Sequence, residues 1–233
     1  MRAMKLILSI LILATAGLCL ALSIRRLLGG ERRLERFFEA ALFFCLALFQ
    51  AQGALYLRGY LFEYPVLFFF HITALYLLGV LLYFAFYAAG MPGEKLPGMK
   101  VLYFVPSAAA LAFDCFYLAQ PETNRVLILG NLFFGGFLVI GPVITALAAG
   151  AGIQATVLLG ALLARISRGR EGGARPARPR LVTASIVISL VMMDLLSAGY
   201  IIKFPPMLLI VTVIACFMII GVCKVIFFPE KAS

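Results

Sequence analysis

The chain has 233 residues, of which 64% are hydrophobic and only 13% charged, with a mean hydropathy of +1.08. Soluble domains are nearer half apolar and a quarter charged, so too little polar side chain is present to cover a soluble fold, and disordered, collagen-like and disulfide-scaffold classes fall on the same numbers. What remains is an all-α, polytopic membrane helix bundle, and the formal charge of +10 has to be read by where it lies.

A membrane-spanning helix needs about 20 predominantly apolar residues. Seven stretches qualify, at roughly 4–24, 37–58, 65–89, 99–119, 140–164, 181–200 and 206–227. Their apolar runs are continuous rather than alternating, which favours helices over barrel strands. The segment 122–138 carries Asn131, Gly130, Gly135 and Gly136. It is too polar for a clean span and reads as an interfacial or re-entrant piece leading into the fifth span. Full insertion would raise the count to eight. The whole chain 1–233 reads as a single transmembrane bundle.

The connections sort themselves by charge. Arg25, Arg26, Arg32, Arg33 and Arg36 follow the first span, and Lys95 and Lys100 follow the third. Arg165, Arg168, Arg170, Arg175, Arg178 and Arg180 follow the fifth, and Lys224 and Lys231 follow the seventh. Only Arg2, Lys5, Arg58, Arg125 and Lys203 fall on the other side. The excess of Lys and Arg in cytoplasmic loops therefore predicts an outside N-terminus and a cytoplasmic C-terminus. A cleaved signal peptide at the N-terminus is the competing reading, since Arg2 and Lys5 precede an apolar run. Lipoprotein cleavage fits poorly, because Leu18 precedes Cys19 where a small residue is wanted. The Gly-, Pro- and Arg-rich stretch 168–180 reads as a flexible cytoplasmic loop, or as a docking site for anionic lipid or an acidic partner. It has no interleaved aromatics, so no nucleic-acid partner is expected.

Polar groups inside a membrane are the functional candidates. Gln50, His71, Asp114 and Asp194 lie five to eight residues inside the outer ends of four spans, roughly 8–12 Å deep at about 1.5 Å per residue. Helical phase adds neighbours. Tyr103, Ser107 and Asp114 share a face of the fourth span, Glu39 and Gln50 of the second, and Tyr64 lies seven residues before His71. Thr183 and Asp194 share a face of the sixth span, with Ser197 beside them. These stripes should point into the bundle. The expectation is a polar pocket open to the outside, built from Gln50, His71, Ser107, Asp114, Asp194 and Ser197, for a small-molecule ligand or a proton. His71 would be its pH-responsive group. The other reading is interhelical hydrogen bonds that simply hold the bundle together. Only Glu39 and Gln154 could extend a polar path into the inner half, which gives little support to transport.

Along the fifth span, Ala148, Gly152, Thr156, Gly160 and Ala164 recur every fourth residue. Such a stripe lets another helix approach closely, either within the bundle or in a homodimer. The five cysteines, Cys19, Cys45, Cys115, Cys216 and Cys223, form no CxxC and read as small apolar packers. With one histidine, neither a zinc site nor a bis-histidine haem is expected. No phosphate loop, GxSxG or HExxH occurs, so neither a cofactor nor an enzyme is expected.

Residues 46–84 (LALFQAQGALYLRGYLFEYPVLFFFHITALYLLGVLLYF) and 99–113 (MKVLYFVPSAAALAF) carry a further pattern. It consists of Glu63-Tyr64-Pro65, then His71, then Leu-Gly-x-Leu-Leu-Tyr around Gly79 and Tyr83, then Phe104-x-Pro106. This resembles the N-terminal seven-helix membrane domain of membrane-bound AraC-type transcription regulators, and the related sensor modules of membrane histidine kinases. The match covers about a quarter of the chain, and Thr73 and Val80 stand where that family usually has Pro. The resemblance implies a bacterial inner-membrane sensor. Family members continue into a cytoplasmic output domain, whereas this sequence ends at FFPEKAS just after the seventh span. The expectation is a sensor or signalling module acting through a separate partner, or one cut from a longer protein. A small transporter or channel, and an accessory subunit of a membrane complex, are the alternatives.

Overall fold

The computed structural model describes residues 2–28, 34–91, 100–134, 140–169, 179–202 and 214–215. Among these the chain is helical, with no strand. The helices are α1 (Arg2–Leu28), α2 (Leu34–Arg58), the single turn α3 (Tyr60–Glu63), α4 (His71–Gly90), α5 (Val105–Ala119), α6 (Glu122–Phe134), α7 (Ile140–Gly169) and α8 (Pro179–Ile202). Two 3-10 turns, Pro65–Phe68 and Lys100–Phe104, lead into α4 and α5.

Six segments are long and apolar enough to cross a membrane: Leu6–Leu28, Arg36–Arg58, Pro65–Gly90, Val101–Ala119, Gly141–Arg168 and Arg180–Ile202. The protein is therefore a multi-pass membrane protein. The expected seventh span at 206–227 lies outside the described residues except for 214–215, as does most of the 168–180 loop. The extra segment near 122–138 is helical over α6.

The centre of the bundle is α4. It packs against α2, α5, α7 and α8, and 17 of its 20 residues are buried. Its contacts explain this position. His71 bonds to α2 and α8 and Thr73 to α5, and Gly79 lets α7 approach closely. By contrast α5 buries only Ser107, Ala110, Asp114 and Tyr117. That spacing of three, four and three residues is one narrow stripe, which makes α5 a peripheral helix laid on α4. At the other edge α1 packs along α2, where Ser23 Oγ donates to Ala40 O at 2.8 Å and Arg26 meets Glu39 at 3.0 Å.

Contacts fix the helix directions. Gly79 of α4 faces Ala155 of α7, and Gly90 faces Ile166; both numbers rise together, so α4 and α7 run parallel. Thr73 meets Asp114 while Tyr83 stacks on Tyr103, so α4 and its neighbour α5 are antiparallel. Gly152 faces Ser197 and Thr156 meets Asp194, which makes α7 and α8 antiparallel. The chain thus leaves α5 and enters α7 at the same end of the bundle, and α6 connects them without a net crossing. Phe133 of α6 lies among Tyr56, Phe62, Phe68 and Tyr200 at that end.

In lipid there is no hydrophobic drive between helices, so close packing of small residues decides where they meet. A Cβ added at Gly79 would lie 3.2 Å from Ala155 Cβ and 3.3 Å from its Cα. The parallel α4–α7 contact therefore depends on a glycine facing an alanine.

Candidate functional site

Besides the α1–α2 contacts, polar side chains meet at three helix seams. At the end of α4 nearest α6, Gln52 of α2 reaches into the turn that precedes α4. Its Nε2 donates to Leu67 O at 2.9 Å and Phe69 O at 3.2 Å. Its Oε1 is left to accept from His71 Nδ1 at 2.7 Å. A neutral imidazole protonated at Nδ1 then accepts at Nε2 from the Tyr200 hydroxyl of α8. Phe68 and Phe49 stack on the ring at 4.3 and 5.3 Å between centroids. His71 thus ties α2, α4 and α8 together, with both nitrogens engaged. Beside it, Phe70 sits at φ 70° in the left-handed region, which is strained for a bulky residue. The Gln52 clamp on the flanking Leu67 and Phe69 carbonyls helps to hold that turn.

The second seam joins α4 to α5. The residue before α4, Phe70, supplies no side-chain cap. Asp114 of α5 supplies one from outside: its Oδ2 accepts from Thr73 N at 2.8 Å and from Thr73 Oγ1 at 2.6 Å. Thr73 lies in the first turn of α4, where backbone N–H groups have no intrahelical partner. A carboxylate there also meets the positive end of the helix dipole. Further along, Tyr117 donates to Pro65 O at 2.6 Å.

The third seam joins α7 to α8. Thr156 Oγ1 donates to Asp194 Oδ1 at 2.8 Å. Asp194 departs from the inward orientation expected of it, because its side chain is exposed. It stands in an outward stripe of α8 with Val187, Ile188, Val191 and Ile201. The reason lies in the packing. Gly152 and Ser197 form the close contact between the two helices, and Asp194 sits at the outer edge of it. An Asp near the centre of a membrane helix costs about 2.5–3.5 kcal/mol on insertion scales, so this position demands a compensating partner.

Around it lies an open groove of about 410 Å³, lined by Ala149, Gly152, Ile153, Thr156, Val157, Asp194, Ser197, Ala198 and Ile201. Ser197 is 5% exposed, and its Oγ has no hydrogen-bond partner among the described residues. Of the six predicted ligand-pocket residues, the groove takes Asp194 and Ser197. His71 and Asp114 belong to the other two seams. Gln50 is fully buried on α2, and neither its amide oxygen nor its nitrogen has a partner among the described residues. Ser107 Oγ is likewise buried without one.

The small-residue stripe of α7 divides. Ala148 is buried, Gly152 meets Ser197 and Thr156 meets Asp194, whereas a Cβ at Gly160 would find nothing within 4 Å and Ala164 is exposed. Steps of four residues turn about 40° past a full revolution of a 3.6-residue helix. The stripe therefore winds out of the α7–α8 contact along its length. The two inner-half candidates are both engaged, Glu39 by Arg26 and Gln154 Nε2 by Tyr103 O at 3.1 Å. Gln52, Thr73 and Tyr200 are not among the site residues expected from the sequence. Gln52 lies two residues from Gln50, and Tyr200 three from Ser197, but nothing in the sequence pairs either with His71. Among the described residues no group of three or more His, Cys, Asp or Glu is placed to hold a metal ion.

No protein-family profile matches the chain, and neither a curated protein nor a solved structure does.

Proposed function

We propose that this chain is a multi-pass membrane signalling module that works by binding a partner within the membrane, rather than by transport or chemistry. The observation that carries this reading is the exposed Asp194 carboxylate, set in an apolar face of α8 beside the α7–α8 groove. An ionisable side chain in that setting is a candidate functional site. The hydrogen bonds of His71 and the Asp114–Thr73 pair support a scaffolding role for those two residues, and leave the groove as the open polar site. With Glu39 and Gln154 also engaged, a continuous polar path through the bundle has little to stand on. The resemblance to AraC-type and histidine-kinase sensor domains points the same way. So does the arginine-rich end formed by the close of α1, the close of α7 and the start of α8. By the distribution of Lys and Arg, that end is cytoplasmic and the N-terminus outside, as in a protein of the bacterial inner membrane.

The test is site-specific photo-crosslinking in native membranes. Crosslinkers at Ile153 and Val157, both exposed on the groove, are expected to give a discrete adduct. Crosslinkers at Leu111 and Phe116, on the exposed side of α5, are expected to give lipid alone. Lipid alone from both faces, or substrate flux that depends on Asp194 in proteoliposomes, would sink the reading.

A further inference from the structure

We infer that the α7–α8 groove receives a transmembrane helix of another protein carrying a Lys or Arg opposite Asp194. The inference rests on the binding role proposed above and names the partner's chemistry.

Three observations combine. The first is charge. Asp194 lies roughly 12 Å of helix from the end of α8 at Ile202, at about 1.5 Å per residue, so it sits within the apolar depth of the span. Thr156 gives it one neutral hydrogen bond. Ionisable groups at such depth pair with one another, and the counterpart of a carboxylate is a cation.

The second is the absence of a suitable cation in this sequence. Its Lys and Arg residues lie in the connections or near the ends of the apolar stretches, and residues 204–223 contain no Lys, Arg or His. The single histidine, His71, is held by Gln52 and Tyr200. A second copy of the chain therefore has no cation to bring to this depth. The inferred partner helix supplies it.

The third is shape. Ala149 and Ala198 line the groove with little bulk where another backbone would approach, the composition that allows helices to pack closely in lipid. Ile153 and Val157, 65% and 62% exposed, form an apolar rim. A membrane helix fits this combination better than a free amine, because small residues and an apolar rim suit a helix side.

The probe is a synthetic Leu/Ala transmembrane peptide of about 20 residues with one central Lys, compared with the same peptide carrying Leu there. The full chain, labelled with a donor fluorophore, is placed in phosphatidylcholine bilayers, and energy transfer to an acceptor on each peptide is titrated. The Lys peptide is expected to associate about tenfold more tightly. Asp194→Asn should erase that preference while leaving the protein folded by size exclusion. Val157→Phe, which adds bulk at an exposed position, should weaken both peptides. Equal binding of the Lys and Leu peptides, or a Lys preference that survives Asp194→Asn, overturns the inference. Competition by octylamine as effective as the Lys peptide would mark a small-amine site and overturn it too. So would transfer between two copies of the chain that the Lys peptide does not displace. If the groove adduct forms in native membranes while the Lys preference is absent, the partner chemistry is wrong and the binding role stands.

Discussion

Asp114 of α5 caps the first turn of α4 through Thr73, accepting from its backbone N–H at 2.8 Å and its hydroxyl at 2.6 Å. One carboxylate oxygen therefore fixes the start of the central helix and holds a peripheral helix against it. Asp114→Leu removes both acceptors and leaves a buried N–H without a partner, at about 1.5–3 kcal/mol. Asp114→Asn keeps one acceptor oxygen and should lose about 1 kcal/mol. The chain has no Trp, so unfolding in detergent is best followed by a thiol-reactive dye reporting on buried Cys19 and Cys45. Equal stability of Leu, Asn and native proteins would show that the cap contributes nothing.

His71 hydrogen-bonds to both Gln52 and Tyr200. Tyr200→Phe leaves Nε2 without its donor and should destabilise by about 0.6–2 kcal/mol, the range for interhelical hydrogen bonds in membranes. Gln52→Leu strands His71 Nδ1–H and the Leu67 and Phe69 carbonyls, and should be the more damaging change. The double variant should show a coupling above about 0.5 kcal/mol. Strict additivity would mean that the relay through the imidazole is not energetically connected.

The contact between α4 and α7 is tight enough to count methyl groups. Gly79→Ala places a Cβ 3.2 Å from Ala155 Cβ and should cost about 1–3 kcal/mol as overpacking. Ala155→Gly introduced beside it should restore most of the loss. A Gly79→Ala protein as stable as the native one, or no rescue, would place the two helices further apart.

Two glycines of the α7 stripe should behave differently. A Cβ at Gly152 falls 2.6 Å from Ser197 Oγ and 2.9 Å from Ser197 Cβ, whereas at Gly160 it meets nothing within 4 Å. Gly152→Val should destabilise the α7–α8 pair, while Gly160→Val leaves the melting temperature of the detergent-solubilised protein unchanged or higher, since helix interiors disfavour glycine. Equal sensitivity at both positions would mean that the whole stripe is packed.

Much of the architecture was legible in the sequence. The six described spans fall close to the apolar stretches, because about 20 apolar residues in lipid must satisfy their backbone as helix. The face shared by Ser107 and Asp114 is the one α5 buries, whereas the interior place of α4 came from its packing against four helices. The polar residues were harder. Phase showed that Asp194 and Ser197 lie near one another on α8, but a displacement of about 60° around the helix, from about 100° per residue, separates an exposed side chain from a buried one. Likewise an every-fourth stripe on α7 looks continuous in sequence and winds away from its partner in space.

The sequence by itself determined that this protein lives in a membrane, that its spans are helical, and at which ends its charges collect. Those properties depend on composition and on runs of neighbouring residues, which the solvent reads directly. Tertiary structure decided which polar groups are engaged and which is open. His71 finds Tyr200 across 129 positions of chain and Thr73 finds Asp114 across 41. Hydrogen bonding is short-ranged and directional, so partners that distant are set only when the helices meet. The same packing that engaged His71 and Asp114 left Asp194 at the edge of a groove, facing outward.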